Sequence, residues 1–186
     1  GLNYRFRPLS LGTFTFETNW TKLNSFFIYT TRGAVRTELM ETNLAATSGA
    51  SPKWRGNVQL NWRRDNWSAG LGMFYTGSFT LSGVTTSRAT YEALGSPASI
   101  KPVFTNGSTL YRMVHRDTQT YNAFLSYRLR KTDTRSWLRD TSVRVGVNNL
   151  FNAEPPLSDD NNTYESALFN TMAKGRMYSL TLTKKF

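Results

Sequence analysis

The stretch Trp54-Arg-Gly-Asn-Val-Gln-Leu-Asn-Trp-Arg63 decides the fold. Trp54, Gly56, Val58, Leu60 and Trp62 fall on one side of an extended chain, and Arg55, Asn57, Gln59, Asn61 and Arg63 fall on the other. Period two is the signature of a β-strand with two chemically different faces. After the short break Arg64, Asp65, Asn66, the pattern resumes: Trp67, Ala69, Leu71, Met73 and Tyr75 alternate with Ser68, Gly70, Gly72, Phe74 and Thr76. Two such strands joined by so few residues predict an antiparallel hairpin.

Working outward, Tyr121, Ala123, Leu125, Tyr127 and Leu129 alternate with Asn122, Phe124, Ser126, Arg128 and Arg130. Val143, Val145 and Val147 alternate with Ser142, Arg144, Gly146 and Asn148. The C-terminal segment sets Tyr178, Leu180, Leu182 and Phe186 against Ser179, Thr181, Thr183 and Lys185, with Lys184 interrupting the apolar side. A weaker candidate covers residues 11–20, with Phe14, Phe16 and Trp20 on one side. These windows are rich in Val, Thr, Tyr, Phe and Trp, which favours strand over helix. The expectation is an all-β chain of about six antiparallel strands in an up-and-down meander.

The connections alternate in length. Short ones fall at 63–66 and about 130–140, long ones at about 21–52, 78–115 and 152–175. In a meander this puts every short turn at one end and every long loop at the other. Unstructured connections of about 30 residues are uncommon in soluble domains, whereas outer-membrane barrels combine short periplasmic turns with long external loops. The polar face is dominated by Asn, Gln, Ser, Thr and Gly, which suits a wet lumen. Trp54, Trp62, Trp67, Tyr75, Tyr121, Tyr127, Tyr178 and Phe186 lie at or near strand ends, with aliphatic residues between them. Two aromatic girdles around an aliphatic band give that distribution. A soluble sandwich or lipocalin-like barrel alternates too, but is expected to place its rings in mid-strand.

Composition narrows the function classes. The 186 residues carry 23 Lys plus Arg against 12 Asp plus Glu, a net charge of +11, with 14% aromatics and no cysteine. The aromatic content argues against disorder. The missing cysteines remove disulfides, thiolate metal sites and thiol nucleophiles. No apolar run approaches the ~18 residues of a membrane helix, and residues 1–8 lack the apolar core of a secretory signal. The chain opens at Gly1, as expected of a processed product or a fragment. Basic residues with interleaved rings can mark nucleic-acid binding. Here Arg63, Arg64, Arg128, Arg130, Lys131, Arg135, Arg139, Lys184 and Lys185 map instead to the short-turn end of the meander, where they hydrate turns or meet anionic headgroups. No nucleic-acid partner is expected.

Chemistry-bearing clusters are few. His115 and Asp117 could form part of a hydrolytic triad, but a lone His between Arg112 and Arg116 reads better as a solvated or solute-touching side chain. Asp159, Asp160, Asn161 and Asn162 are rich in oxygen without the spacing of a defined calcium loop. Gly70-x-Gly72 lies within a strand with no helix after it, which excludes a phosphate-cradling loop. No catalytic residue, metal or cofactor is expected.

The C-terminal run Val143-Arg-Val-Gly-Val-Asn-Asn-Leu-Phe-Asn152, then Glu154-Pro-Pro156, Tyr164-Glu165, Gly175-Arg176 and the terminal Phe186, resembles the end of TonB-dependent outer-membrane receptors. The matching positions are Asn149, Leu150 and Phe151 at the end of the penultimate strand, Gly175 and Arg176 opening the last, and Phe186; Lys184 stands where that family has an apolar residue. Pro52-Lys-Trp-Arg-Gly56, Leu60-Asn-Trp62 and Met73-Phe-Tyr-Thr-Gly77 look like the family's preceding hairpin, so the likeness covers most of residues 52–186. It implies a barrel of about 22 strands around a plug. Residues 1–186 would then be one incomplete domain, the C-terminal part of the barrel, with the plug elsewhere in the receptor. The implied partners are outer-membrane lipid and lipopolysaccharide, the remaining strands and plug, and the TonB complex through the receptor's N-terminal part. The implied activity is energy-coupled import of a scarce solute across a Gram-negative outer membrane: a ferric siderophore, cobalamin, a saccharide or a peptide. Arg112 and His115 in the second long loop and Tyr164 in the third are the expected solute contacts. A passive porin or small complete barrel, and a soluble ligand-binding β-protein, are the rival readings.

Overall fold

The computed structural model describes every residue except 9, 30, 35–36, 39, 41, 45–48, 82–86, 106–107, 130–139, 157–171 and 185–186. Its main body is one antiparallel sheet of seven strands: β1 (Leu2–Phe6), β2 (Thr13–Lys22), β7 (Trp54–Arg64), β8 (Trp67–Thr76), β12 (Thr118–Arg128), β13 (Thr141–Asn148) and β14 (Met177–Lys184), paired in that order. Every sheet neighbour is the next strand along the meander. The predicted hairpin is present, with Arg64 opposite Trp67 and Asp65 in the left-handed conformation (φ 49°) that Asp tolerates in a tight turn.

Three differences from the sequence reading stand out. An extra strand, β1, precedes the weak candidate, pairing Tyr4 with Phe16 and Phe6 with Phe14. Strand β12 stops at Arg128, short of Leu129, whose N–H instead donates to the carbonyl of Thr141. The long connections also carry structure of their own. Strands β3 (Phe27–Ile28) and β4 (Thr37–Glu38) form a small pair, and β5 (Thr42–Leu44), β6 (Gly49–Ala50), β9 (Phe79–Leu81), β10 (Ile100–Thr105) and β11 (Ser108–His115) form a five-stranded sheet. A single turn and a half of helix, α1 (Arg88–Ala93), starts at Ser87, whose hydroxyl accepts the Thr90 N–H. No helix among the described residues is long and apolar enough to cross a membrane.

Register makes the two faces of the main sheet continuous, because directly opposed residues project to the same side. One row reads Phe16, Leu60, Leu71, Ala123, Val147, Tyr178, and the next reads Phe14, Trp62, Ala69, Leu125, Val145, Leu180. The opposite face reads Thr15, Asn61, Gly70, Phe124, Gly146, Ser179. The apolar rows are exposed: Leu71 is 45% exposed, Val145 49% and Leu180 75%. Among the described residues the buried apolar side chains are few, Phe79 and Met172 with Pro52. The chain exposes 12724 Å², well above the roughly 9,100 Å² that a compact soluble chain of its mass would show.

Rings mark both ends of the apolar face. Trp20 packs on Tyr75 (centroids 5.5 Å apart) at the long-connection end, and its indole also lies over Gly56, where a Cβ would collide with it. Trp67 packs on Tyr127 (4.6 Å) at the short-turn end. Arg63, Arg64, Arg128 and Lys184, opposite Thr13, Trp67, Ser142 and Thr141 respectively, gather at that same short-turn end. The other basic residues assigned to it, Arg130, Lys131, Arg135, Arg139 and Lys185, lie outside the described residues.

Candidate functional site

The polar face is furrowed by one trough of about 560 Å³ at the long-connection end and two of about 320 Å³ nearer the turns. The period-two pattern puts it together: Asn19 of β2, Asn57 of β7, Phe74 of β8 and Thr120 of β12 share one register row. Asn122 and Asn148 also line the large trough, and Arg55 is the one residue of its lining with a charged side chain. Such a surface offers many uncharged donors and acceptors and little net field.

Glycine shapes the middle of this wall. The ring of Phe124 lies over Gly70, where any Cβ would strike it, and the Arg144 guanidinium sits 3.7 Å above the same ring. The stack Gly70, Phe124, Arg144 thus covers bare backbone with an aromatic plane and holds a cation against that plane, an arrangement that is attractive in itself. At the β1 edge, Asn3 Nδ2 donates to Glu17 Oε1 at 3.0 Å.

The residues around the end of β13 and the start of β14 form a strand-ending clamp. Asn149 is 3% exposed with φ 52°. Its N–H donates to Asn122 Oδ1 (2.9 Å), its Nδ2 donates to the Ala153 carbonyl (2.8 Å), and its Oδ1 accepts the Ala153 N–H (2.8 Å). The Leu150 N–H donates to the Tyr121 carbonyl, and Phe151 meets the Tyr121 ring edge-on at 5.1 Å. Asn152, also left-handed at φ 54°, accepts the Arg176 N–H on Oδ1 (2.9 Å), while Gly175 takes φ 69° beside that oxygen. Two Asn residues therefore satisfy the backbone groups freed where β13 ends and β14 begins, which would otherwise go without partners. Phe186 lies outside the described residues.

Two of the expected solute contacts, Arg112 and His115, lie in the same strand, β11. Arg112 sits in β11 opposite Lys101, and its Nε is buried with no hydrogen-bond partner among the described residues. His115, expected to be a solvated or solute-touching side chain, is 1% exposed and stacked on Phe79 (4.8 Å, planes 8° apart), its cross-strand partner at the end of the β9–β11 pair. Asp117 is exposed in the connection beyond. Tyr164 and the cluster Asp159, Asp160, Asn161, Asn162 lie outside the described residues. Among the described residues no three His, Cys, Asp or Glu side chains gather as metal ligands would.

The sequence reading did not single out Phe74 or Asn122. Phe74 did carry a signal, as a large ring on the polar register of Trp67–Thr76; Asn122 carried none, because its bond to Asn149 spans 27 residues. Comparison of the chain with protein-family models, curated proteins and solved structures returns no match.

Proposed function

We propose that this chain is a wall segment of an outer-membrane β-barrel, its apolar rows facing lipid and its polar rows a water-filled lumen. From the C-terminal motif we infer that the barrel is a TonB-dependent receptor importing a scarce solute. One observation carries the first part: an apolar face that runs across the seven strands with no layer over it among the described residues. In water that surface would be a strong drive to aggregate; against hydrocarbon it is the required surface.

Ring positions add support. From Trp20 and Tyr75, which share a row, the upper rings step down two residues to Tyr121 and two more to Tyr178, a shift of four residues over the five pairings from β2 to β14. The lower rings step the same way, from Phe14 and Trp62 to Trp67 and Tyr127. With strand spacings of ~4.8 Å and a rise of ~3.4 Å per residue, that slant equals a tilt of about 30°. Barrel strands tilt by roughly 35–45°. The edges of β1 and β14, each paired on one side only, would meet further strands of the same barrel, since unpaired backbone costs several kcal/mol per group in lipid. Asn149, Asn152 and Gly175 support the family inference, because their clamp gives the motif a physical task.

The test is fractionation and uptake with the full-length protein in a Gram-negative host. It should sediment with the outer membrane, resist carbonate extraction and migrate faster unheated than heated. Solute accumulation should cease when TonB is deleted. Recovery in the aqueous fraction refutes the barrel; TonB-independent flux refutes the receptor and leaves a passive porin.

A further inference from the structure

We propose that the large trough on the polar face binds a neutral oligosaccharide, with the ring of Phe74 as its stacking platform and the carboxamides of Asn19, Asn57, Asn122 and Asn148 as its hydrogen-bonding groups. The inference rests on the reading of this face as a wetted inner wall.

Phe74 is out of place on any other account. It stands in a row of Asn, Asn and Thr, is 44% exposed, and makes no ring or cation contact among the described residues. Phe124, the other ring on this face, is used on both sides, by Gly70 and by Arg144. A bare phenyl ring amid amides gains nothing from water, and its negative face is a surface for polarised C–H groups. Pyranose rings present such C–H groups on one side and hydroxyls around the rim.

The surroundings match that rim. A hydroxyl both donates and accepts, and a carboxamide supplies two donors and an acceptor, so clustered Asn side chains can satisfy clustered hydroxyls without charge. Asn122 is already oriented, since its Oδ1 accepts the Asn149 N–H at 2.9 Å and its Nδ2 donors remain. The trough, at about 560 Å³, lies within the roughly 300–1,000 Å³ of small-molecule sites. Other solutes fit the lining less well. An anionic chelate or acidic glycan calls for several Arg or Lys side chains, and this lining has one, Arg55. An apolar solute would give the five Asn and four Thr side chains of the lining no hydrogen-bonding partner. The position at the long-connection end, beside Thr76 and Thr118, is where an incoming solute would first meet the wall.

The test is calorimetric titration of the full-length protein in detergent with maltohexaose, cellohexaose and xylohexaose, against hexagalacturonate and ferric desferrioxamine. At least one neutral hexasaccharide should bind. Phe74→Ala should weaken it about tenfold or more, with Phe74→Tyr restoring affinity to within about threefold. Asn57→Ala should weaken it without altering the heat-modifiable migration that reports the folded barrel. Binding of none of the neutral sugars, or binding indifferent to Phe74→Ala, overturns the proposal. So does preference for the acidic glycan or the ferric chelate. In each of these cases the barrel reading survives, provided the protein still partitions with the membrane; aqueous partitioning removes both.

Discussion

Replacing Leu71 by Arg separates a lipid-facing sheet from a soluble one. Leu71 sits midway along β8 between Trp67 and Tyr75, in a row with Leu60 and Ala123, and is 45% exposed. Four residues separate it from each ring, about 14 Å along the strand, or about 10 Å in depth at a ~40° tilt. That places it at the middle of the band, where an Arg costs roughly 2–4 kcal/mol in a membrane barrel. On a water-exposed sheet the same change would stay within about 0.5 kcal/mol. The control is Gln59→Arg, one register row away on the polar face opposite Gly72, expected to cost within about 0.5 kcal/mol. The assay is urea-driven unfolding of the full-length protein in phosphatidylcholine vesicles, read by heat-modifiable migration. Equal costs for the two variants, or a harmless Leu71→Arg, would refute the assignment of faces.

Two further outcomes follow from the same geometry. Asn149→Ala removes two side-chain hydrogen bonds of 2.8 Å and puts a Cβ-branchless but non-amide residue at φ 52°, so it should cost about 2–4 kcal/mol in the same titration. Asn149→Gly, which keeps the backbone conformation accessible, should cost less. Gly70→Val drives a side chain into the Phe124 ring and should destabilise by roughly 1–3 kcal/mol. Combined with Phe124→Ala, which clears the space, its added cost should shrink, and simple additivity in that double-mutant cycle would count against the stack.

Much of the sheet could be read from period two alone. The windows at 54–63 and 67–76 each hold five apolar positions on one side, and the short break Arg64, Asp65, Asn66 between them leaves little freedom of register. Strand β1 carries the same signal in Leu2, Tyr4 and Phe6, but over five residues it is too short to stand without its partner β2. The strands in the long connections were hidden for a different reason. Strand β9 pairs with β11 and, in parallel, with β5, contacts between segments far apart in sequence that no local pattern encodes. His115 illustrates the same limit. Its flanking arginines suggest a solvated loop, yet the cross-strand pairing with Phe79 removes it from solvent.

The sequence by itself determined the all-β meander, the composition of its two faces and the gathering of basic residues at the short-turn end, because side-chain alternation and turn length are local properties of the chain. Only the tertiary structure decided that the apolar rows run across seven strands with no layer of the described residues over them, that His115 is enclosed, and that Asn149 is bonded to Asn122. Each of these depends on which strand lies beside which, and register between distant segments is set by the summed pairing of backbone and side chains rather than by any one window.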